Sequence, residues 1–244
     1  ARHRLDNLLD SAARAKFGRN VLPAVDVQVE QLRARLHAFA DWHAAWIADG
    51  WRVVAVEGRV REPGGGCADD EGIAAGTRSI DIEFPVDGEP FTIRGRIDRI
   101  DYHAGRRTWA VFDYKTSDTA VSPESAHRKK DGTWVDLQLP LYRHLLAGVR
   151  TGDGDPLIVD AHASVLLGYI NLSRDLERTG AAIAEWSADD LASADETARA
   201  AIRLVRAGRF RYDPATAGRY DGALAALMGQ GRMSELDDEA EDDE

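Results

Sequence analysis

An acid and a base share one face of a short apolar segment near the middle of the chain. The segment reads WAVFDYKT over residues 109–116. In a β-strand, successive side chains point to opposite sides, so Asp113 and Lys115 lie on the same face as Trp109 and Val111. Because burying either charge alone is costly, this placement indicates a functional site rather than a structural one.

A second carboxylate, Asp98, lies in the preceding segment, which reads GRIDRID over residues 95–101. Residues 91–102 are predicted to form one strand with Asp98 near its middle. A hairpin-like turn at residues 102–107 pairs this strand with residues 108–116, which brings Asp98 close to Asp113. Two acids and a lysine suit a hard divalent cation, Mg²⁺ or Mn²⁺, with the ammonium orienting an attacking water or a phosphate oxygen. The chemistry indicated is metal-assisted hydrolysis of a phosphodiester.

A third segment, QLPLY at residues 138–142, places Gln138 and Tyr142 on one face of a helix. Taken alone, such a pair is more often packing or surface. The order of the three segments resembles the RecB-like exonuclease branch of the PD-(D/E)xK nuclease superfamily. That branch supplies the C-terminal nuclease domain of AddB- and RecB-type helicase-nucleases. Each segment is weak by itself, whereas the three in this order are specific.

The resemblance implies both a fold and an activity. The fold is an α/β (α+β), restriction-endonuclease-like core with a mixed central β-sheet flanked by helices. The activity is metal-dependent, exonucleolytic processing of DNA ends in double-strand-break repair or recombination, beside a helicase subunit or domain. The roles implied are metal binding by Asp98, Asp113 and the carbonyl of Tyr114, catalysis by Lys115 with the two acids, and DNA contact by Gln138 and Tyr142.

Two features of that branch lack a clear counterpart here. Several members hold an iron–sulfur cluster with four cysteines, but Cys67 is the single cysteine of this chain, so no cluster is expected. The branch also supplies a metal-binding histidine from an early helix. We expect that histidine to lie upstream of residue 1 in a longer parent protein, with His3 as the alternative. His43 is expected to be a hydrogen-bonded core histidine.

The net charge of −11 over 244 residues is unusual for a DNA-binding protein, but it is unevenly distributed. Eight of the last ten residues are acidic and none is basic, which leaves −3 for residues 1–234. We expect one nuclease domain over residues 1–234 and a disordered acidic tail over 235–244. The tail is interpreted as solubilising or, alternatively, as a DNA mimic or a docking segment. No apolar run approaches about 18 residues, which predicts a soluble cytoplasmic protein without a membrane span.

Hydrophobic periodicity predicts the elements around the three motifs. Helices are predicted at residues 1–16, 26–49, from 136 onward and 187–207, and strands at residues 51–62, 77–84, 91–102, 108–116 and 160–172. Residues 63–76 are expected to be a glycine-rich loop. The strand at residues 51–62 places Glu57 on an apolar face, where it either pairs with an arginine in the core or belongs to the site, as a glutamate at a comparable place in RecB-like sequences would imply.

A basic run next to an aromatic residue lies in the aperiodic stretch at residues 117–135. Such a run suits phosphate contacts and base stacking, and its members are Arg128, Lys129, Lys130 and Trp134. The alternative is an ordinary solvated loop. Further positive charge is expected near the acids, from Arg94, Arg96, Arg99, Arg106 and Arg107.

Two other functions fit parts of the sequence. A nuclease fold kept as a non-catalytic DNA-binding or scaffolding module of a helicase assembly would explain the missing histidine and the acidic tail. The complete set of Asp98, Asp113 and Lys115 favours an enzyme instead. A hydrolase acting on nucleotides or another phosphoester is disfavoured because no glycine-rich phosphate loop is present.

Overall fold

The computed structural model describes residues 2–18, 22–57, 59–60, 79–151, 154–157 and 164–209. One compact unit comprises Ala1–Ile202, and the second, Arg203–Glu244, is described only at residues 203–209. The helices are α1 (Arg2–Phe17), α2 (Pro23–Ala48), α3 (Pro123–His127), α4 (Gln138–Gly148) and α5 (Ala188–Arg206). The strands are β1 (Trp51–Val56), β2 (Arg59–Val60), β3 (Ile80–Val86), β4 (Glu89–Gly95), β5 (Arg99–His103), β6 (Thr108–Lys115), β7 (Ser164–Asn171) and β8 (Gly180–Ile183).

The central sheet is mixed and has the strand order β2-β1-β5-β6-β7-β8. All neighbours are antiparallel except β6 and β7, which run parallel. Parallel neighbours need a crossover, and the chain between β6 and β7 supplies it with α3 and α4. The predicted fold class, a mixed sheet flanked by helices, is confirmed.

The two faces of β6 support two different layers, as strand alternation requires. Trp109 and Val111 belong to a core cluster that includes Tyr142, Leu145 and Leu146 of α4. Ala110 and Phe112 belong to a second cluster, against which α2 packs with Leu36, Phe39, Trp42 and Trp46. The sheet is therefore covered by α4 on the face that carries Asp113 and by α2 on the other.

Two predicted strands are each interrupted by a change of direction. The predicted strand at residues 51–62 ends at Val56, because Glu57 adopts a φ of 52° and the chain turns back into the two-residue β2. The predicted strand at residues 91–102 is divided by residues 96–98 into β4 and β5. Asp98 therefore lies in a bend immediately before β5, not in the middle of a strand.

The hairpin of β3 and β4 forms a separate two-stranded sheet. Its Phe84 and Val86 are buried against Ala198 and Ile202 of α5. The start of α5 is capped, because the Ser187 hydroxyl accepts a hydrogen bond from the Asp190 N–H while the Asp190 carboxylate accepts one from the Ser187 N–H. This hairpin and helix pack beside α4 and fix the helix that covers the acid-bearing face.

Gly168 of β7 lies where the sheet has no room for a side chain. A Cβ at this position would be 2.6 Å from the carbonyl oxygen of Ala182 on the neighbouring β8. That oxygen belongs to the paired backbone, so Gly168→Ala is expected to lower the free energy of unfolding by about 1–3 kcal/mol. Urea unfolding measures the change, and an unaltered midpoint would contradict the prediction.

Two predicted segments fall outside the described residues. They are the glycine-rich loop at 63–76 with Cys67, and the acidic tail at 235–244. Within the part of the chain that the structure describes, no helix combines the length and apolar character needed to cross a bilayer.

Candidate active site

Asp98 and Asp113 meet at the C-terminal end of β6. The Asp98 Oδ2 accepts a hydrogen bond from the backbone N–H of Tyr114 at 3.1 Å, so its carboxylate lies beside the peptide bond that follows Asp113. The Lys115 Nζ lies 2.8 Å from the Asp113 Oδ2. The antiparallel pairing of β5 with β6 places these groups together, as the hairpin prediction requires, although Asp98 contributes from the bend before β5.

Gln138 and Tyr142 face this group from the first turns of α4. The Gln138 Nε2 donates to the Asp113 Oδ1 at 3.3 Å and to the Tyr142 hydroxyl oxygen at 2.8 Å. Two residues four apart on a helix lie on one face, which explains how both reach the same carboxylate. The structure therefore brings together the acids, the lysine and the glutamine–tyrosine pair that the sequence singled out.

Tyr142 is nearly buried and lies close to both acids. Burial raises the pKa of its hydroxyl, and the negative charges of Asp113 and Asp98 raise it further. The phenol is therefore protonated at neutral pH. Because its oxygen already accepts a hydrogen bond from Gln138, its proton is directed to another acceptor, such as a carboxylate or a phosphate oxygen.

The donor set suits a hard cation that is shared with a phosphate. Magnesium is usually bound by one or two carboxylates, with water molecules and substrate phosphates completing the shell. Asp98 and Asp113 supply two carboxylates on adjacent segments, and each carboxylate has lone pairs beyond those used in the contacts described. The described residues contain no group of three or more His, Cys, Asp or Glu side chains that could hold a metal. The two carboxylates on adjacent segments are the donor set that a magnesium site shared with a phosphate uses.

Tyr114 separates Asp113 and Lys115 and turns its side chain to the opposite face of β6. There its ring lies 6.2 Å from that of Phe39 on α2. Its backbone remains beside the two acids, with the N–H bonded to Asp98. The role of its carbonyl as a metal ligand stays a prediction.

Glu57 lies next to Asp98 but outside the core. Its backbone N–H donates to the Asp98 carbonyl oxygen at 2.8 Å, and its carboxylate pairs with Arg96 at 3.1 Å. Both side chains are about half exposed. The pairing with an arginine is found, but the buried location expected for it is wrong, because the chain turns at Glu57 before the apolar face can continue. Its membership of the site stays a prediction.

The histidines considered as ligands have other neighbours. His3 is exposed on α1, where its Nε2 lies 3.5 Å from the Asn7 side chain. The His43 Nδ1 lies 3.1 Å from a guanidinium nitrogen of Arg99, and burial lowers its pKa, with the Arg99 charge lowering it further. His43 is thus a hydrogen-bonded, partly buried residue, close to what its position on the apolar face of α2 predicts.

The basic run after α3 is used in two different ways. Base stacking was predicted for Trp134, but its side chain is only 7% exposed, so its ring is not accessible to a base. The Arg128 guanidinium lies 4.8 Å from the Trp134 ring centroid and pairs with Asp190 at 2.6 Å, so its charge is already compensated. Lys129 and Lys130 are exposed, which keeps them as candidates for phosphate contacts.

The arginines near the acids also have acidic partners. Four ion pairs are present, Arg94 with Asp81, Arg96 with Glu57, Arg99 with Asp101 and Arg106 with Asp49. Three of these involve exposed side chains, and exposed pairs contribute little and exchange readily. The contribution of these arginines to positive charge near the acids stays a prediction, and the charges of Arg94, Arg96, Arg99 and Arg106 are each paired with a carboxylate.

Sequence reasoning did not find the role of Arg99 and Asp101, the two charged residues that follow Asp98. Their side chains are 3% and 0% exposed and form a bidentate pair, and the Trp46 indole donates to Asp101 at 2.8 Å. Burial opposes the charge on Arg99, but the hydrogen bonds and the charge of Asp101 outweigh it and raise the Arg99 pKa. This pair ties α2 to β5 and thereby fixes the strand that follows Asp98. The arginine–x–aspartate spacing within GRIDRID was the available signal.

A mixed sheet that presents two carboxylates and a lysine to a covering helix has the architecture of a restriction-endonuclease-like phosphodiesterase. A family model of the PD-(D/E)XK nuclease superfamily matches residues 1–220, and the chain belongs to that superfamily. Nucleases of this superfamily are hydrolases that act on phosphodiester bonds and typically use divalent metals such as Mg²⁺. No curated protein matches the chain significantly.

Proposed function

We propose that this protein is a metal-dependent deoxyribonuclease. The observation that carries the proposal is the contact set around Asp113, in which Lys115 and Gln138 bind its two oxygens and Asp98 lies across the adjoining peptide bond. Ion pairs removed from water contribute little net stability to a fold. An ammonium and two carboxylates within one hydrogen-bonded group are therefore better explained by a catalytic role, in which they stabilise charge that develops on a substrate.

Each side chain has a role that its environment supports. Asp98 and Asp113 are proposed to hold Mg²⁺ or Mn²⁺, with the Tyr114 carbonyl as a further ligand. When bound, such a cation polarises a phosphate and stabilises negative charge on it. Lys115 is partly exposed, with 29% of its side chain accessible, so its ammonium can reach a water molecule or a phosphate oxygen while Asp113 keeps it in place. Its charge would stabilise the more negative phosphate of the transition state.

The DNA is proposed to approach along the face covered by α4. The Tyr142 hydroxyl, whose own proton is not used in the bond from Gln138, is proposed to donate to a phosphate oxygen there, and the exposed Lys129 and Lys130 precede the same helix in the chain. Phosphate contacts by lysines are independent of sequence, so we propose a nuclease that recognises DNA structure rather than a base sequence.

The finer assignment rests on the motifs. The GRIDRID segment and the spacing of Gln138 and Tyr142 support a RecB-like exonuclease that processes DNA ends during double-strand-break repair, with a helicase subunit or domain as its partner. Linear and covalently closed circular DNA, each single- and double-stranded, test this directly. Release of mononucleotides or short products from linear DNA alone is expected, whereas cutting of closed circles would contradict exonucleolytic action. DNA binding without cleavage would favour the scaffolding module.

Gln138→Ala is expected to lower kcat/KM for DNA about tenfold. The substitution removes the donor shared by Asp113 and Tyr142, and a hydrogen bond to a charged group is worth about 1.5–3 kcal/mol. Steady-state cleavage of labelled linear DNA measures the effect. Gln28→Ala, which changes the same residue type at an exposed position of α2, is the matched control and is expected to leave kcat/KM unchanged. Equal values for Gln138→Ala and the control would contradict the assigned role.

A further inference from the structure

Lys115 lies over an aromatic ring supplied by the neighbouring parallel strand. The Lys115 Nζ is 4.5 Å from the centroid of the Tyr169 ring. In the register of β6 with β7, Tyr169 lies opposite Asp113, so the ring is on the same face of the sheet as the acid and the lysine. An ammonium over an aromatic face is attracted by the ring quadrupole. Lys115 is thus held between the carboxylate of Asp113 and the ring of Tyr169.

The Tyr169 ring is itself fixed from behind by a buried histidine. The Tyr169 hydroxyl lies 2.5 Å from the His127 Nε2, and the His127 Nδ1 lies 2.9 Å from the carbonyl oxygen of Asp136. A carbonyl oxygen only accepts hydrogen bonds, so Nδ1 carries a proton, and the tautomer with its single ring proton at Nδ1 leaves Nε2 as an acceptor. Nε2 then accepts from the Tyr169 hydroxyl. Each donor along this chain of contacts has one acceptor.

His127 has no solvent exposure, and its ring packs edge-on against Trp186 at 5.4 Å between centroids. The segment that follows His127 folds back onto it, and the Val135 N–H donates a hydrogen bond to the His127 carbonyl oxygen at 2.8 Å. The Asp136 Oδ1 then accepts from the Gln138 N–H at 2.7 Å at the start of α4. One buried residue therefore connects the tyrosine beneath Lys115 with the turn that begins the helix carrying Gln138.

These contacts close a ring around the candidate active site. It runs from Asp113 through Lys115, Tyr169, His127 and Asp136 to Gln138, which returns to Asp113. Neither Tyr169 nor His127 is a metal ligand or a DNA contact in the proposed function. A buried, fully paired tyrosine–histidine bond beneath a catalytic lysine restricts the positions that the ammonium can occupy.

We propose that Tyr169 and His127 are positioning residues that hold Lys115 in its catalytic place. The inference rests on the proposed function, because it gives Lys115 a catalytic task. Misplacing a catalytic group by about 1 Å can cost about 10²-fold in rate, so loosening the ring is expected to lower kcat while DNA binding is retained.

The test uses substitutions at His127 that preserve different nitrogens. Asn places its amide near the position of Nδ1 and keeps the bond to Asp136 while losing Tyr169, whereas Gln reaches the position of Nε2 and can still accept from the tyrosine hydroxyl. Tyr169→Phe keeps the ring beneath Lys115 and removes only the bond to His127. Folding is checked by thermal unfolding, and kcat and KM for linear DNA are measured for the full chain with Mg²⁺.

We expect His127→Asn and Tyr169→Phe each to lower kcat about tenfold with KM changed less than twofold. The kcat of His127→Gln is expected to stay within about threefold of that of the unmodified protein. The double variant His127→Asn/Tyr169→Phe is expected to have a kcat no lower than that of the slower single variant, because both substitutions break the same hydrogen bond between Tyr169 and His127. If His127 served only to hold the turn at Asp136, the Asn variant would keep the higher kcat and the Gln variant the lower one. That result would overturn the inference.

Unchanged kcat in His127→Asn and Tyr169→Phe, with Lys115→Ala inactive, would overturn the inference and leave the proposed function standing. Full activity of Lys115→Ala would overturn the catalytic task of Lys115 on which the inference rests, and a folded, unmodified protein that leaves DNA intact with Mg²⁺ would overturn the proposed function itself. The two failures are therefore distinguishable within one set of proteins.

Discussion

Lys115→Ala is expected to lower kcat for DNA hydrolysis about 10³-fold. The ammonium is anchored to Asp113 at 2.8 Å and to the Tyr169 ring, yet part of it is accessible to a bound phosphate. Removing a positioned group that transfers a proton or stabilises developing charge typically costs about 10²–10⁴-fold in rate. Because the alanine variant retains both acids, its binding of Mg²⁺ and DNA is expected to change much less than its turnover.

The control for this substitution is Lys16→Ala, which removes an exposed lysine near the end of α1. Both variants lose one positive charge, so a general electrostatic effect on DNA binding would appear in both. Single-turnover cleavage with excess protein isolates the chemical step from binding. If Lys115→Ala retained more than a tenth of the single-turnover rate, the lysine would not act in catalysis.

Asp113→Asn is expected to abolish measurable Mg²⁺ binding at the site and to lower kcat about 10³-fold. The amide has nearly the shape of the carboxylate and can keep one contact with Gln138, so packing is preserved while the charge is lost. Charge stabilisation by a bound metal is worth several kcal/mol, and about 4 kcal/mol corresponds to 10³-fold in rate. Asp98→Asn is expected to act in the same direction.

Isothermal titration with Mg²⁺, together with cleavage at increasing Mg²⁺ concentration, checks this prediction. Asp81→Asn is the matched control, because Asp81 also pairs with a basic residue, Arg94, but does so on the exposed hairpin of β3 and β4. Activity of Asp113→Asn equal to that of the control would contradict the assignment of Asp113 as a metal ligand.

Strand alternation could be predicted from the sequence where a face is continuous, and β6 is the clearest case. Residues 109–115 follow one period of two, and the structure divides them between the layers under α4 and α2. The breaks at residues 57 and 96–98 could not be predicted in the same way. Glu57 adopts a positive φ without being glycine, which is uncommon, and the one local signal of a turn was the neighbouring Gly58.

The central residues of the candidate site could be predicted from the sequence because they are close to one another along the chain. Asp98 and Asp113 meet through one hairpin, and Gln138 and Tyr142 are one helical turn apart. The place of Tyr169 in the site could not be predicted, because it depends on the register of the parallel pair β6 and β7, for which the sequence carries no local signal. The pairing of Arg128 with Asp190, 62 residues downstream, was hidden for the same reason, so a basic run looked more open than it is.

Degradation of end-labelled linear DNA at fixed ionic strength, with Mg²⁺ and then with excess chelator, tests the central claim most directly. The proposed metal-dependent centre at Asp98, Asp113 and Lys115 predicts cleavage with Mg²⁺, no cleavage with chelator, and recovery when Mg²⁺ is restored in excess. Cleavage that continues in chelator would contradict the account, as would a folded protein that leaves DNA intact with either Mg²⁺ or Mn²⁺.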